Sequence, residues 1–293
     1  MRYSKIILAA AVALVAVAGC KSQYEELLES SDVKAKYKAA FEYYNSGKYS
    51  KAVQLFESIS LAVSGTPQDD TVQFYTAMAN YNQRDFYTAE GNLTHFIENY
   101  PASPFIENAQ FLRVDCLYRA TLRYELDQKP TYAAITAINE YKISHLGSPN
   151  IAICDRMLED LNERIDRKAY ENAKLYYKME DYKASRVAFK NVLKDNADNI
   201  YREDILYYIA KSSYKYASLS VREKQKERYL TFMDDYLNFV GELPESPYRR
   251  ELDVLYARAQ KALGKYTGSE DLLKVDDRTL EKELKSTEKA SGK

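Results

Sequence analysis

The chain is poor in the residues that make tight turns. Its 293 residues include only nine glycines and seven prolines. A β-sandwich joins many short strands through turns that need these residues, so this composition argues against one. The 28 tyrosines, by contrast, are a high number that the fold has to accommodate.

Histidine is scarce too, with only His95 and His145 in the chain. A catalyst needs a nucleophile, a base and an orienting group, or clustered metal ligands. Neither histidine has a partner at ligand spacing, and no Gly-rich phosphate loop, HExxH or GxSxG motif occurs. The sequence therefore predicts no catalytic residue, no metal site and no cofactor; the alternative is a hydrolase with an unrecognised constellation.

Neither positive nor negative charge dominates the sequence. Lysine and arginine number 42 against 43 acidic residues, and removal of a leader carrying Arg2 and Lys5 leaves 40 against 43, a net charge of about −3. This balance predicts no nucleic-acid partner. Beyond Cys20, only Cys116 and Cys154 remain. They are predicted as two buried thiols or, alternatively, as one disulfide between neighbouring helices.

The only long apolar run lies at the N-terminus. It covers residues 6–18 behind two basic residues, and Val17, Ala18, Gly19 and Cys20 follow the pattern of a bacterial lipobox. About 20 residues are needed to span a bilayer as a helix, so this run predicts a signal peptide over 1–19. Acylation of Cys20 would tether the mature chain to a membrane. Lys21 follows it in place of an aspartate that would favour the inner membrane, so we expect the outer membrane, facing the periplasm. The alternative is an ordinary secretory signal with a chance cysteine.

A helical-hairpin pattern repeats through the rest of the chain. Small and aromatic residues recur at the positions where paired helices pack, on either side of a turn. These residues are Ala40, Tyr43, Gly47, Tyr49, Ala52 and Phe56 in the first unit, Ala77, Asp85, Phe86, Ala89 and Leu93 in the second, and Ala173, Tyr176, Asp181, Tyr182, Phe189 and Val192 in the fourth. The pattern predicts an all-α fold, a right-handed superhelix of about five tetratricopeptide-like helical hairpins.

The repeats suggest a division of the chain. We expect a lipidated linker over 20–32, units one to three over 33–145, and units four and five with a capping helix over 146–263. The remainder, 264–293, is dense in charged residues and is predicted to be disordered or a frayed helix.

Two surfaces are candidates for binding. First-helix positions of units one and two form aromatic rows that end in Asn and suit an extended peptide, although rings at this spacing also fill cores. The row residues are Tyr37, Phe41, Tyr44, Asn45, Phe74, Met78, Tyr81 and Asn82. Around unit four, a basic set predicts either partner binding or an ordinary solvated face. Its members are Arg167, Lys174, Lys178 and Arg186.

These features together resemble one family. The lipobox, the five repeats, the segment 98–104 (ENYPASP) after unit two and the segment 124–128 (YELDQ) in unit three are similar to the BamD family of outer-membrane assembly lipoproteins, over residues 20–263. Relatives commonly carry a basic residue facing BamA on the second helix of unit four. This chain has Ala188 there, so that ion pair is not implied here.

The resemblance implies a subunit of the β-barrel assembly machine. Its expected partners are the periplasmic domains of a BamA-like barrel protein, unfolded barrel precursors bound through their C-terminal strand, and accessory lipoproteins of the same machine. The alternative is a different tetratricopeptide lipoprotein, an adaptor for envelope polysaccharide export or cell-wall synthesis. A pull-down separates the two hypotheses, because only the first predicts co-purification with a large barrel.

Replacement of Cys20 by Ser removes the only thiol that the lipobox offers for acylation. We expect C20S to fractionate with soluble periplasmic proteins, since several acyl chains are what make membrane attachment stable. Fractionation of the envelope followed by immunoblotting measures this. If C20S stays with the membranes, lipid is not the anchor.

Overall fold

The computed structural model describes residues 22–291, and within that range its regular secondary structure is helical, without a strand. The segment that carries the expected signal peptide and Cys20 lies outside the described residues. In chain order, the helices are α1 (Gln23–Glu29), α2 (Val33–Asn45), α3 (Tyr49–Val63), α4 (Asp69–Asn82), α5 (Phe86–Asn99), α6 (Ile106–Arg119), α7 (Lys129–Ser144), α8 (Ile151–Lys178), α9 (Tyr182–Asp195), α10 (Arg202–Ser218), α11 (Arg222–Glu242), α12 (Arg249–Ala262), α13 (Glu270–Leu273) and α14 (Asp277–Ser291). The predicted all-α class is confirmed.

The chain divides into two compact bodies, called unit 1 and unit 2 with numerals to distinguish them from the repeat units one to five. Unit 1 contains the described residues up to Leu122 together with Leu126–Leu158, and unit 2 contains Arg123–Glu125 and the residues from Glu159 onward. Within unit 1, the helices α2 to α7 pack in chain order, each on its neighbours in that series. In unit 2, α9, α10 and α11 do the same. Successive packing of this kind is the contact pattern of stacked hairpins. The handedness of the superhelix stays a prediction. Among the described residues, no helix is long and apolar enough to cross a membrane.

The same turn joins the two helices of three hairpins. Gly47, Arg84 and Glu180 all have positive φ, at 73°, 65° and 62°. After each, the next amide donates to a carbonyl five residues earlier, as in Lys48 N to Tyr43 O at 2.8 Å. This hydrogen bond satisfies a carbonyl group at the end of the first helix. The residue with positive φ is in the left-handed conformation, which glycine adopts most easily. In the second and fourth hairpins, an Asp follows and caps the next helix.

Small residues line the contact between paired helices. Ala40 and Ala52 belong to one fully buried cluster of unit 1, and Ala77 and Ala89 to another. Because alanine has no side-chain atoms beyond Cβ, the paired helices approach closely, and larger residues fill the space beside the alanines. Buried apolar area then supplies the main favourable free energy of each hairpin.

Cys116 and Cys154 are both buried and free. The sequence left two alternatives open, two buried thiols or one disulfide, and the structure contains two buried thiols. Burial raises the pKa of the Cys116 thiol to about 12, so it remains protonated at neutral pH.

Both ends of the described chain contain helices. The linker predicted over 20–32 contains α1, which Ser22 and Glu25 close with a capping box. Tyr24 fixes α1 to the first hairpin, with its hydroxyl donating to Gln54 Oε1 at 2.8 Å. The tail expected to be disordered or frayed over 264–293 contains α13 and α14. Leu280 of α14 is only 3% exposed, and this burial stabilises a helix that charge-rich composition alone does not favour.

Leucine in place of Ala89 tests the close approach of α4 and α5. Three more heavy atoms at a position with no exposed area overpack the hairpin, and we expect the free energy of unfolding to fall by about 1–3 kcal/mol. Chemical denaturation measures the change. Y87L is the matched control, because Tyr87 lies on the same helix and is 91% exposed. Equal stability of A89L and Y87L would contradict the packing described.

Candidate binding surfaces

The first surface is a cavity of about 620 Å³ in unit 1. Its lining combines aromatic rings with three asparagine amides and has no charged side chain. The lining residues are Phe41, Tyr44, Asn45, Phe74, Tyr75, Met78, Phe105, Asn108, Phe111, Leu112 and Asn150. Such a wall offers apolar area and amide hydrogen bonds together, and both suit an uncharged ligand.

Tyr75 organises the rings of this cavity. Its ring centroid lies 4.8 Å from that of Phe41 and 5.2 Å from that of Tyr44, both in edge-to-face geometry. The rings of Phe74 and Phe105 stack with their centroids 4.6 Å apart. These contacts connect α2, α4 and the start of α6. The wall is therefore preorganised by ring packing between consecutive hairpins.

Five of the eight predicted groove residues line the cavity: Phe41, Tyr44, Asn45, Phe74 and Met78. Phe74 is only 5% exposed, so most of its ring belongs to the core, as the alternative interpretation expected.

The structure places Tyr37, Tyr81 and Asn82 outside the lining. Tyr37 packs beside Phe41 with ring centroids 5.0 Å apart. Asn82 donates from Nδ2 to the Tyr44 hydroxyl at 3.1 Å. Burial and the hydrogen bond to Asp115 raise the pKa of Tyr81 to about 12, and its hydroxyl donates to Asp115 Oδ2 at 2.6 Å. Tyr37 and Asn82 therefore contact side chains that line the cavity, and Tyr81 connects α4 to α6.

The cavity also includes residues that the sequence did not single out. They are Tyr75, Phe105, Asn108, Phe111, Leu112 and Asn150. Four of these lie on α6 or directly before it, at helical spacing, so extending the first-helix rows into unit three would have found them. Asn150 precedes α8, and nothing in the sequence pattern marks it.

The second surface is a smaller cavity in unit 2, of about 260 Å³, between α9, α10 and α11. Four of its lining side chains are basic and one is acidic. The lining residues are Lys183, Arg186, Val187, Ser213, Tyr216, Lys224, Glu227, Arg228 and Thr231. A concave surface with this excess of positive charge favours an anionic ligand.

A buried carboxylate holds Arg186 in place. Arg186 donates from Nε to Asp235 Oδ2 at 2.6 Å and from Nη2 to Oδ1 at 3.0 Å, and Lys190 Nζ lies 2.8 Å from Oδ1. The side chain of Asp235 is 2% exposed. Burial raises the pKa of this carboxyl, but hydrogen bonds from Arg186, Lys190 and Ser213 outweigh burial, and the net pKa lies below its ordinary value.

Arg228 is oriented by a tyrosine. Its guanidinium carbon lies 3.9 Å from the ring centroid of Tyr216, and Nη1 donates to Ser220 Oγ. Stacking of this kind fixes the plane of a guanidinium while leaving other N–H groups able to donate. Lys224, one helical turn earlier on α11, is exposed. Lys224 and Arg228 are four residues apart and therefore lie on one face of α11. This face was not recognised in the sequence, because the binding candidates lay mainly at first-helix positions.

Of the four predicted partner-binding residues, only Arg186 lines this cavity. Arg167 lies over the Tyr124 ring at 4.4 Å, and Lys174 donates to the Tyr170 hydroxyl at 2.9 Å. Lys178 is exposed and lies 3.5 Å from Glu171. These three basic residues contact side chains of unit 2 away from the cavity. Among residues 22–291, no group of three or more His, Cys, Asp and Glu side chains is placed to hold a metal ion.

Fold and surfaces together define an all-α protein of stacked helical hairpins. The family model described as YfiO, outer membrane lipoprotein, matches residues 29–230. The chain belongs to this family, and the resemblance noted from the sequence is confirmed. It is also 19% identical, over 224 residues, to the outer membrane protein assembly factor BamD of Caulobacter vibrioides, covering 75% of this chain and 72% of that protein.

Two solved structures are similar in part. The TPR2AB domain of yeast Sti1, in a complex with pHSP90, is 13% identical, with a TM-score of 0.40 and coverage of 89% of this chain and 94% of that one. A thermophilic TPR protein of Thermus thermophilus is 15% identical, with a TM-score of 0.29 and coverage of 78% and 99%. At these TM-scores neither superposition defines a shared arrangement.

Asparagine in place of Asp235 removes the charge that holds Arg186 and Lys190. At pH 7 we expect the free energy of unfolding to fall by about 3 kcal/mol. The pKa of Asp235 is lower in the folded than in the unfolded chain, so its stabilisation is complete above the ordinary carboxyl pKa and is lost as pH falls below it. The difference between wild type and D235N should therefore narrow below about pH 4.

Denaturant unfolding across this pH range measures the effect of D235N. D234N is the matched control, because Asp234 is the exposed neighbour on the same helix. A difference between wild type and D235N that stays constant with pH would show that the carboxylate charge does not stabilise the fold.

Proposed function

We propose that the chain is an outer-membrane scaffold that assembles β-barrel proteins, anchored by lipid on Cys20 and facing the periplasm. Unit 1 would hold a barrel precursor, and unit 2 would dock onto the periplasmic domains of a barrel-forming partner. Family membership and the printed function of the Caulobacter relative support this role. The observation that carries it is the uncharged, ring-and-amide wall of the unit 1 cavity.

The chemistry of a barrel strand matches this wall. Before insertion, such a strand has unpaired backbone N–H and C=O groups, and apolar side chains on the face that will meet lipid. Asn45 and Asn108 are exposed at the cavity and can pair with a bare backbone. The rings around Tyr75 supply apolar area at little cost in side-chain entropy, because ring packing already orders them.

The unit 2 cavity is suited to an acidic partner surface. Arg186 and Arg228 are each fixed by internal contacts, so little conformational freedom is lost when an anionic group binds beside them. Lys183 and Lys224 add positive charge at the exposed edge. This charge would also speed the encounter with an acidic domain.

The proposed role needs no chemistry from the chain. The lining of the unit 1 cavity contains no histidine, cysteine, serine or carboxylate that could act as nucleophile or base. The proposed activity is the binding and release of other proteins, and it assigns no catalytic residue and no cofactor.

Alanine at both Asn45 and Asn108 tests the peptide site. Loss of two amide hydrogen bonds should weaken binding of a synthetic peptide, the C-terminal strand of an outer-membrane barrel, by about tenfold. Thermal stability should be unchanged, since both residues are exposed. N92A is the matched control, because Asn92 lies in unit 1 outside the cavity lining. Fluorescence anisotropy measures affinity; unaltered affinity in the double variant would contradict the assignment.

Charge reversal of Lys224 and Arg228 tests the docking surface. K224E/R228E should lose most of its co-purification with a large barrel protein that has periplasmic domains, because like charges then face each other. K226E is the control, an exposed lysine on the same helix outside the cavity. Affinity purification from solubilised envelopes, with quantitative mass spectrometry, reports the yield. The docking proposal is wrong if K226E and K224E/R228E recover the barrel protein equally.

A further inference from the structure

Helix α14 lies against α12 of unit 2. Asp277 Oδ1 accepts from Arg258 Nη1 at 2.7 Å, and Glu283 Oε2 lies 2.9 Å from Arg250 Nε. Arg250, the earlier arginine on α12, pairs with Glu283, the later acidic residue on α14. The two helices therefore run antiparallel. Leu280 is buried between these two ion pairs, and the tail helix therefore presents one apolar side flanked by acidic residues.

The neighbours of α14 are α12 and the apolar cluster that α12 forms with α10 and α11. Leu284 packs against the apolar cluster built by α10, α11 and α12. Lys211 and Lys215, one turn apart on α10, are close enough to Asp277 to help lower its pKa, after the larger effect of Arg258. Glu281 is close enough to raise the pKa of Tyr177 on α8, where burial is the main cause.

Few contacts hold α14 in this position. Its apolar contact comes from Leu280 and Leu284, and its opposite side is exposed at Glu281, Lys282, Lys285 and Ser286. The side chains of Asp277 and Arg250 are 64% and 68% exposed, and ion pairs as exposed as these contribute little to stability. A segment without regular helix, residues 263–269, connects α14 with its short predecessor α13 to α12.

We propose that the basic face formed by α10 and α12 is a helix-binding site whose resident ligand is α14. Its partner is an amphipathic helix of another protein, with leucines four residues apart and acidic residues beside them. Charge complementarity supports this occupant, because Arg250 and Arg258 pair with Glu283 and Asp277 of α14 and Lys215 adds positive charge near Asp277. Partner binding displaces α14 and exposes the tail. This site is separate from the two cavities and does not depend on their function.

A fluorescent peptide with the sequence of residues 270–291 tests the site against the full-length protein. In wild type, α14 competes at the high effective concentration of a tethered segment. L280E/L284E releases α14, so we expect it to bind the peptide at least about tenfold more tightly than wild type. K285Q/S286E changes the net charge equally on the exposed side and should bind as wild type does. Equal binding by wild type and L280E/L284E, or none by either, overturns the proposal.

A second measurement needs no altered protein. Excess isotope-labelled peptide added to wild type should speed amide hydrogen exchange of residues 277–286, because it displaces α14. A peptide carrying the two leucine-to-glutamate changes should have no effect. If the unaltered peptide leaves exchange of residues 277–286 unchanged at saturating concentration, the face is not a helix-binding site.

Discussion

Close approach of paired helices is the constraint on which the other features of this molecule depend. Ala40 and Ala52 in one hairpin, and Ala77 and Ala89 in the next, keep the helix axes near enough for Phe56 and Leu93 to be fully buried beside them. A single hairpin cannot bury its whole apolar side, so hairpins stack on one another. Stacking sets the first helices side by side, and the cavity around Tyr75 exists because α2, α4 and α6 meet there.

The two surfaces differ in electrostatic character. The unit 1 cavity is uncharged and built from rings, while the unit 2 cavity has four basic side chains and one acidic one. Apolar area and amides suit an unfolded chain, which has no fixed charge pattern. Oriented guanidinium groups suit a folded partner whose carboxylates stand in fixed positions. Under the proposed function, the first surface would hold an unfolded client and the second a folded partner.

Much of this was readable from the sequence, because repeats report local packing. The small positions, the turn at Gly47 and the stop at Pro101 define helices whose partners lie next to them in the chain. Long-range features left no such trace. Asp235 meets Arg186 across 49 residues, and α1 and α14 are ordered by side chains such as Tyr24 and Leu280 that gain stability only from tertiary contact. The cavity residues of α6 were legible in principle, since Asn108, Phe111 and Leu112 lie at helical spacing on one face.

The measurement that tests the account most directly is site-specific photo-crosslinking in intact envelopes. A photoreactive residue at Met78, within the unit 1 cavity, should form adducts with many different β-barrel precursors through their C-terminal segments. A probe at Leu61, which is 91% exposed on α3 and lies outside the cavity lining, should form few. Adducts confined to proteins of a single export or cell-wall pathway, or equal adducts from both positions, would contradict a scaffold for barrel assembly.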